Sequence, residues 1–232
     1  MFDLIAFDAD DTLWHNETLF TLTQSSFRAL LAPYLLRPWT GEELYATELR
    51  NLQHFGYGIK GFMLSMIETA IELTGADLPV AVIQQIIGLG KAMLAAPVEL
   101  LDHVAEVLPA LAAAAPLLLL TKGDLFDQEA KIARSGLAPH FRHIEIVSDK
   151  TPQSYSALLA KYAVPPKRFL MVGNSLRSDI VPVIALGGRA VHIPYHTTWV
   201  HEQVAHAALP VSIVALAHVG LLPTWLAAQA AG

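Results

Sequence analysis

Residues 4–13 read Leu4-Ile5-Ala6-Phe7-Asp8-Ala9-Asp10-Asp11-Thr12-Leu13, an apolar run that ends in three carboxylates within four positions. A short apolar run closed by polar turn formers predicts a buried β-strand. The carboxylates then emerge at its C-terminal end, where open parallel α/β sheets bind ligands. If the extended backbone continues, side-chain alternation aims Asp8 and Asp10 one way and Ala9 the other. Like charges this close repel and raise one another's pKa unless a cation or hydrogen-bond donors compensate, so a positive partner is expected. The competing reading is an Asp-rich turn after a strand.

Further aliphatic runs follow at Leu117–Leu120, His143–Val147, Phe169–Val172 and Ala190–Ile193. Segments of helical period, such as Phe126–Ser135 and Tyr155–Tyr162, separate them. Strands alternating with helices predict βαβ units and a Rossmann-like parallel sheet sandwiched by helices. The first gap is different. More than a hundred residues lie between Phe7 and Leu117, whereas a βαβ crossover needs only about a dozen. An insertion is expected there, and its periodicity is helical throughout. Glu17–Leu36 stops near Pro38, and Thr40 with Glu43 resembles a capping box that opens a second helix. Phe62–Leu73 and Leu78–Leu94 continue the pattern as far as Pro97. The expected organisation is an α/β core of residues 1–15 and 97–232 with a helical cap of residues 16–96, four helices standing over the carboxylates.

With 232 residues, 53% of them hydrophobic and 16% charged, the chain can bury a substantial core and lies outside the disordered regime. A formal net charge of −6 and the lack of any Lys/Arg run argue against nucleic acid as a partner. The absence of cysteine excludes disulfides, thiolate metal sites and a cysteine nucleophile. No signal-peptide pattern is present, and Leu108–Leu120, broken by Pro109 and Pro116, is too short to span a bilayer. A cytoplasmic protein without a membrane partner is expected, as a monomer or homodimer.

Three later strand ends carry polar residues. Thr121-Lys122-Gly123-Asp124 follows the second run, where a hydroxyl and adjacent N–H groups could hold a phosphoryl oxygen and Asp124 could cap the next helix. Ser148-Asp149-Lys150-Thr151-Pro152 follows the third, with Pro152 suited to a first helical turn and Lys150 able to offset nearby carboxylates. Gly173-Asn174-Ser175-Leu176-Arg177-Ser178-Asp179 follows the fourth. Each has an ordinary reading too: a strand-to-helix turn, a solvated lysine, or an acidic helix N-terminus favoured by the dipole. Rival motifs fail. Gly88-Leu89-Gly90-Lys91 lacks the first Gly and the final Ser/Thr of a P-loop. His192 and His196 are spaced i, i+4, but Pro194 lies between them.

Taken in order, these four segments resemble the motifs of the haloacid dehalogenase (HAD) superfamily. Residues 7–14, FDADDTLW, resemble its first motif, DxDxT, in the phosphatase form. The resemblance implies Asp8 as nucleophile and Asp10 as general acid/base, leaving Asp11 a polar turn residue. It implies Thr121 and Lys150 as phosphate contacts, with Lys122 the competing lysine. It also implies a Mg²⁺ site formed by Asp8, Asp10, Asn174 and Asp179. The fourth motif usually reads GDxxxxD, and here Asn174 replaces the first acid, which removes one negative charge from the metal site. The inserted helices match in location the C1-type cap of one subgroup, where His54, Tyr57 and Lys60 cluster at a Gly-rich turn. The implied activity is Mg²⁺-dependent hydrolysis of a small phosphorylated metabolite. The alternatives are a 2-haloacid dehalogenase, which needs neither metal nor general acid, and a catalytically silent binding protein.

Overall fold

The computed structural model describes residues 2–35, 39–75, 78–204 and 213–231. Six strands form one sheet: β1 (Leu4–Phe7), β2 (Leu117–Lys122), β3 (His143–Val147), β4 (Phe169–Gly173), β5 (Arg189–His192) and β6 (Val214–Ala215). Their order is β3-β2-β1-β4-β5-β6, and every pairing is parallel. The chain therefore winds outward in both directions from β1. The order reverses between β1 and β4, which is where doubly wound sheets open a crevice at their carboxyl ends.

Alternation along the strands builds the two faces. Ile5, Phe7, Leu117, Leu119, Leu170 and Val172 enter one core, and Leu4, Ala6, Leu118, Leu120, Phe169 and Met171 enter the other. The first is covered by α5 (Val104–Ala114) and α9 (Leu222–Ala231), through Val104, Leu108, Leu111 and Leu222. The second is covered by α7 (Pro152–Lys161) and α8 (Val181–Ala185), through Tyr155, Leu158 and Val183. Both faces are buried along β1, β2 and β4, so these central strands read as continuous apolar runs. Helix α5 passes through Pro109, which the sequence suggested as a break. Burial of Leu108 and Leu111 offsets the missing backbone donor.

The chain divides into two compact units, Met1–Glu17 with Val98–Lys122 and Ala130–Gly232, and Thr18–Pro97 with Gly123–Glu129. The second is helical: α1 (Glu17–Leu31), α2 (Glu42–Phe55), α3 (Ile59–Thr74) and α4 (Val80–Ala95) supply it. It has a core of its own around Phe27, Leu31, Leu44, Met66 and Ile86. The start of α6 (Leu125–Ser135) belongs with this unit, which spacing alone did not suggest. There the Lys60 ammonium meets Asp124 at 2.9 Å and lies 5.2 Å from the Phe126 ring centroid. Helix α1 gives way to a 3₁₀ turn at Ala32–Tyr34, earlier than expected. The expected end at Leu36 lies outside the described residues. Helix α2 is capped at Gly41, with φ 92°, rather than at Thr40, although the Thr40 hydroxyl still accepts the Glu42 N–H at 3.2 Å. Among the described residues no helix is long and apolar enough to cross a membrane.

Candidate active site

The polar residues of the sheet unit converge at the carboxyl ends of β1 and β4. Asp8 follows β1, is 7% exposed, and donates its N–H to Val172 on β4. The Lys150 ammonium, brought in by the turn before α7, donates to Asp8 Oδ1 and, at 2.7 Å, to Asp179 Oδ1. One buried cation thus bridges two buried carboxylates. The other oxygen of Asp179 accepts the Ser175 N–H at 3.0 Å. Gly173 makes room for this arrangement, because a Cβ there would fall 2.2 Å from Asp179 Oδ2. The Thr12 hydroxyl lies 3.1 Å from Asp8 Oδ2 and 3.3 Å from Asn174 Oδ1, and it accepts the Asn174 N–H at 3.0 Å. Its single proton can serve one of those oxygens at a time.

Burial disfavours charge on Asp8 and pushes its pKa up to about 7; Asp179 and Asp10 add to the push, and Lys150 opposes it. Burial also works against charge on Lys150, but Asp179 and Asp8 overcome that and hold the ammonium above its usual range. The positive partner that Asp8 requires is therefore Lys150. Asp8, Asp179 and Asn174 offer oxygen donors of the kind a hard divalent cation takes, so the residues fit Mg²⁺ in chemistry. Two of the three are charged, and among the described residues no cluster of three or more His, Cys, Asp or Glu side chains forms a ready-made site.

Asp10 occupies a second polar setting. Lys131, on α6, places its ammonium 2.9 Å from each Asp10 carboxylate oxygen and 3.0 Å from Asn16 Oδ1. The Trp14 indole N–H donates to Asp10 Oδ1 at 2.7 Å. Asp11 has φ 61°, and its carboxylate accepts the Asn16 and Glu17 N–H groups ahead of α1. Burial pushes its pKa up to about 8 in spite of those donors. Asp11 is thus a turn residue that holds the chain leading into α1.

Lys122 lies in a third cluster. Its ammonium pairs with Glu202 and donates to Ser178 Oγ at 2.9 Å. Glu202 also accepts from the Ser175 hydroxyl, and from Ser178 Oγ at 2.6 Å. Burial alone would raise its pKa, but Lys122 and the two hydroxyls bring it down to about 2.

The haloacid dehalogenase-like hydrolase family model matches residues 2–187, which includes all four strand ends. The chain belongs to the haloacid dehalogenase-like hydrolases. A haloacid dehalogenase-like family hydrolase from Xanthomonas campestris is 43% identical with a TM-score of 0.88, the alignment covering 99% of this chain and 92% of that one. A 2-haloacid dehalogenase from Pseudomonas syringae pv. tomato DC3000 is 23% identical with a TM-score of 0.66, over 99% and 100% of the two chains. The HAD-hydrolase YfnB of Bacillus subtilis, solved with magnesium bound, is 14% identical with a TM-score of 0.66, over 97% and 99%. These two share the fold. No curated protein matches the sequence significantly.

In this HAD-like hydrolase, Asp8, Lys150, Asn174 and Asp179 come together directly or through Thr12. Thr121 is buried at the end of β2, beyond the level at which Leu119 pairs with Phe7. Lys122 is drawn to Glu202, and Asp10 to Lys131. His192 donates to the Asn174 carbonyl at 2.9 Å, so it helps to hold the fourth turn. Sequence reasoning did not single out Lys131, Trp14 or Glu202. Lys131 left a faint trace, since it shares the buried side of an amphipathic helix with Gln128 and Ile132. Glu202 sits in a three-residue 3₁₀ turn and left none.

Proposed function

We propose that this hydrolase is a Mg²⁺-dependent phosphatase acting on small phosphomonoesters. The observation that carries this reading is the pairing of a buried Asp8, held by Lys150 together with Asp179, with a second carboxylate two residues further on. Displacement of halide from a haloacid would leave Asp10 without a leaving group to protonate, because halide needs no proton to depart. In the proposed reaction an Asp8 oxygen attacks phosphorus, and the bond from phosphorus to the leaving oxygen breaks. That oxygen takes a proton from Asp10. Asp10 then removes a proton from water, whose oxygen attacks the aspartyl-phosphate. This returns the Asp8 carboxylate and releases inorganic phosphate. Thr121 and Lys150 would hold the nonbridging oxygens through a hydroxyl and an ammonium. Asp8, Asp179, Asn174 and the Asp10 main-chain carbonyl would hold Mg²⁺. Bound there, the metal supplies positive charge against the phosphoryl oxygens.

The test is hydrolysis of an aryl phosphate with and without Mg²⁺, in wild type and Asp8→Asn. Metal-dependent turnover that falls by at least about 10³-fold in the mutant is expected. Turnover retained in the folded mutant would exclude Asp8 as nucleophile. A dehalogenase is favoured by one feature, the uncharged Asn174 in the metal set. Halide release from a 2-haloacid, in the absence of metal, would establish that reading instead.

A further inference from the structure

Asp10 has to do two opposite things in the proposed reaction, give a proton and take one, and both depend on where its carboxylate points. Its position just beyond β1 does not fix this, since the chain has already turned: the Asp11 N–H donates to the Trp14 carbonyl at 2.7 Å. The side chain is also 21% exposed, so it is not wholly enclosed by packing. What fixes it is a set of donors. The Lys131 ammonium lies 2.9 Å from both carboxylate oxygens, and the Trp14 indole N–H reaches Oδ1 at 2.7 Å. Lys131 is held in turn. Its side chain is 10% exposed, it is carried on a helix, and it also reaches Asn16 Oδ1 at 3.0 Å. A cation so placed is costly to bury unless its partners compensate, and here they are a carboxylate and an amide oxygen.

We propose that Lys131 is a positioning residue for Asp10, and that it sets the orientation in which Asp10 transfers a proton to the departing alkoxide. The inference rests on the phosphatase reading. It also makes a demand that a structural lysine would not meet. A poor alkoxide leaving group needs the proton of Asp10, whereas an activated aryl oxide leaves with little help. Loss of Lys131 must therefore penalise alkyl phosphates much more than aryl phosphates, as loss of Asp10 itself should. A lysine that only stabilised the fold would lower both together.

The experiment compares kcat/KM for an aryl phosphate and a simple alkyl phosphate in wild type, Asp10→Asn, Lys131→Met, Lys131→Arg and the Asp10→Asn/Lys131→Met double variant. Lys131→Met keeps the length of the stem and removes the ammonium. It is expected to lower kcat/KM for the alkyl substrate by about 100-fold, the scale of a misplaced catalytic group, and for the aryl substrate by less than about threefold. Lys131→Arg should recover part of the loss. The double variant should be no worse than Asp10→Asn, because the lysine acts through the carboxylate. Equal losses on both substrates, or additive losses in the double variant, would overturn the inference while leaving the phosphatase reading intact. If wild type hydrolyses neither substrate, the phosphatase reading falls and takes the inference with it. Should Lys131→Met fail to fold, the same substrate ratio in Lys131→Arg decides the matter.

Discussion

At the scale of single residues, the site is governed by how buried charge is compensated. Asp8 and Asp179 are tolerated because Lys150 stands between them, and Lys122 and Glu202 neutralise each other a short way along the same rim. The Glu202 pairing has a direct consequence for pH dependence. Its folded pKa, about 2, lies below the ordinary 4.5. Its contribution is therefore fully present above about pH 4.5 and is lost as pH falls towards 2. The difference corresponds to roughly 3 kcal/mol. Urea unfolding of wild type and Glu202→Gln should differ by about that much at pH 7, and the gap should narrow steadily as pH is lowered from 4.5 towards 2. A gap that does not change with pH would show that the carboxylate charge is not what holds the turn. Residues such as Asp8 were legible in the sequence because a four-residue apolar run points straight at them. Lys131 and Glu202 were not, because their partners come from distant elements and no short spacing encodes the pairing.

At the scale of elements, the turns from strand to helix deliver the site residues. Helix α7 begins with a full capping box: the Thr151 hydroxyl accepts the Ser154 N–H at 3.2 Å, and the Ser154 hydroxyl accepts the Thr151 N–H at 2.8 Å. Pro152 occupies the first turn. Lys150 is the residue immediately before this cap, so the cap sets the direction from which the ammonium reaches Asp8. Thr151→Ala should cost about 1 kcal/mol of stability. It should also lower activity more than that small loss would suggest, with Thr151→Ser restoring both. Chemical unfolding and steady-state kinetics on the three proteins check this; activity unchanged in a destabilised Thr151→Ala would separate the cap from Lys150. The central strands were legible because both of their faces are buried and their runs are unbroken by polar residues. The two-residue β6 was missed, being too short to form a pattern. Helix α5 was missed because Pro109 reads as a stop, although apolar contacts on the sheet carry the helix past it.

At the scale of the whole molecule, apolar burial is partitioned. Every buried residue of the two sheet cores lies within residues 4–15, 98–122 or 130–222, and the core around Met66 draws only on residues 19–94. The sequence indicated this division through one long gap between strands, since a hundred residues of helical period cannot be a crossover. It could not indicate that residues 123–129 belong with the helical unit, because contacts there, such as that of Lys60 with Asp124, join residues far apart in the chain. Separate cores imply that stability is distributed in separate parts as well. Phe27 is fully buried in the helical core, and its ring meets Trp39 edge-on at 5.6 Å between centroids. Phe27→Ala removes that ring and should cost about 3–5 kcal/mol locally. Hydrogen exchange followed by mass spectrometry should then show faster exchange across α1 to α4, while amides in β1, β2 and β4 keep their protection. Equal acceleration in the strands would mean that the two cores open as one cooperative unit, because only a shared opening transmits the loss of a single phenyl ring to both.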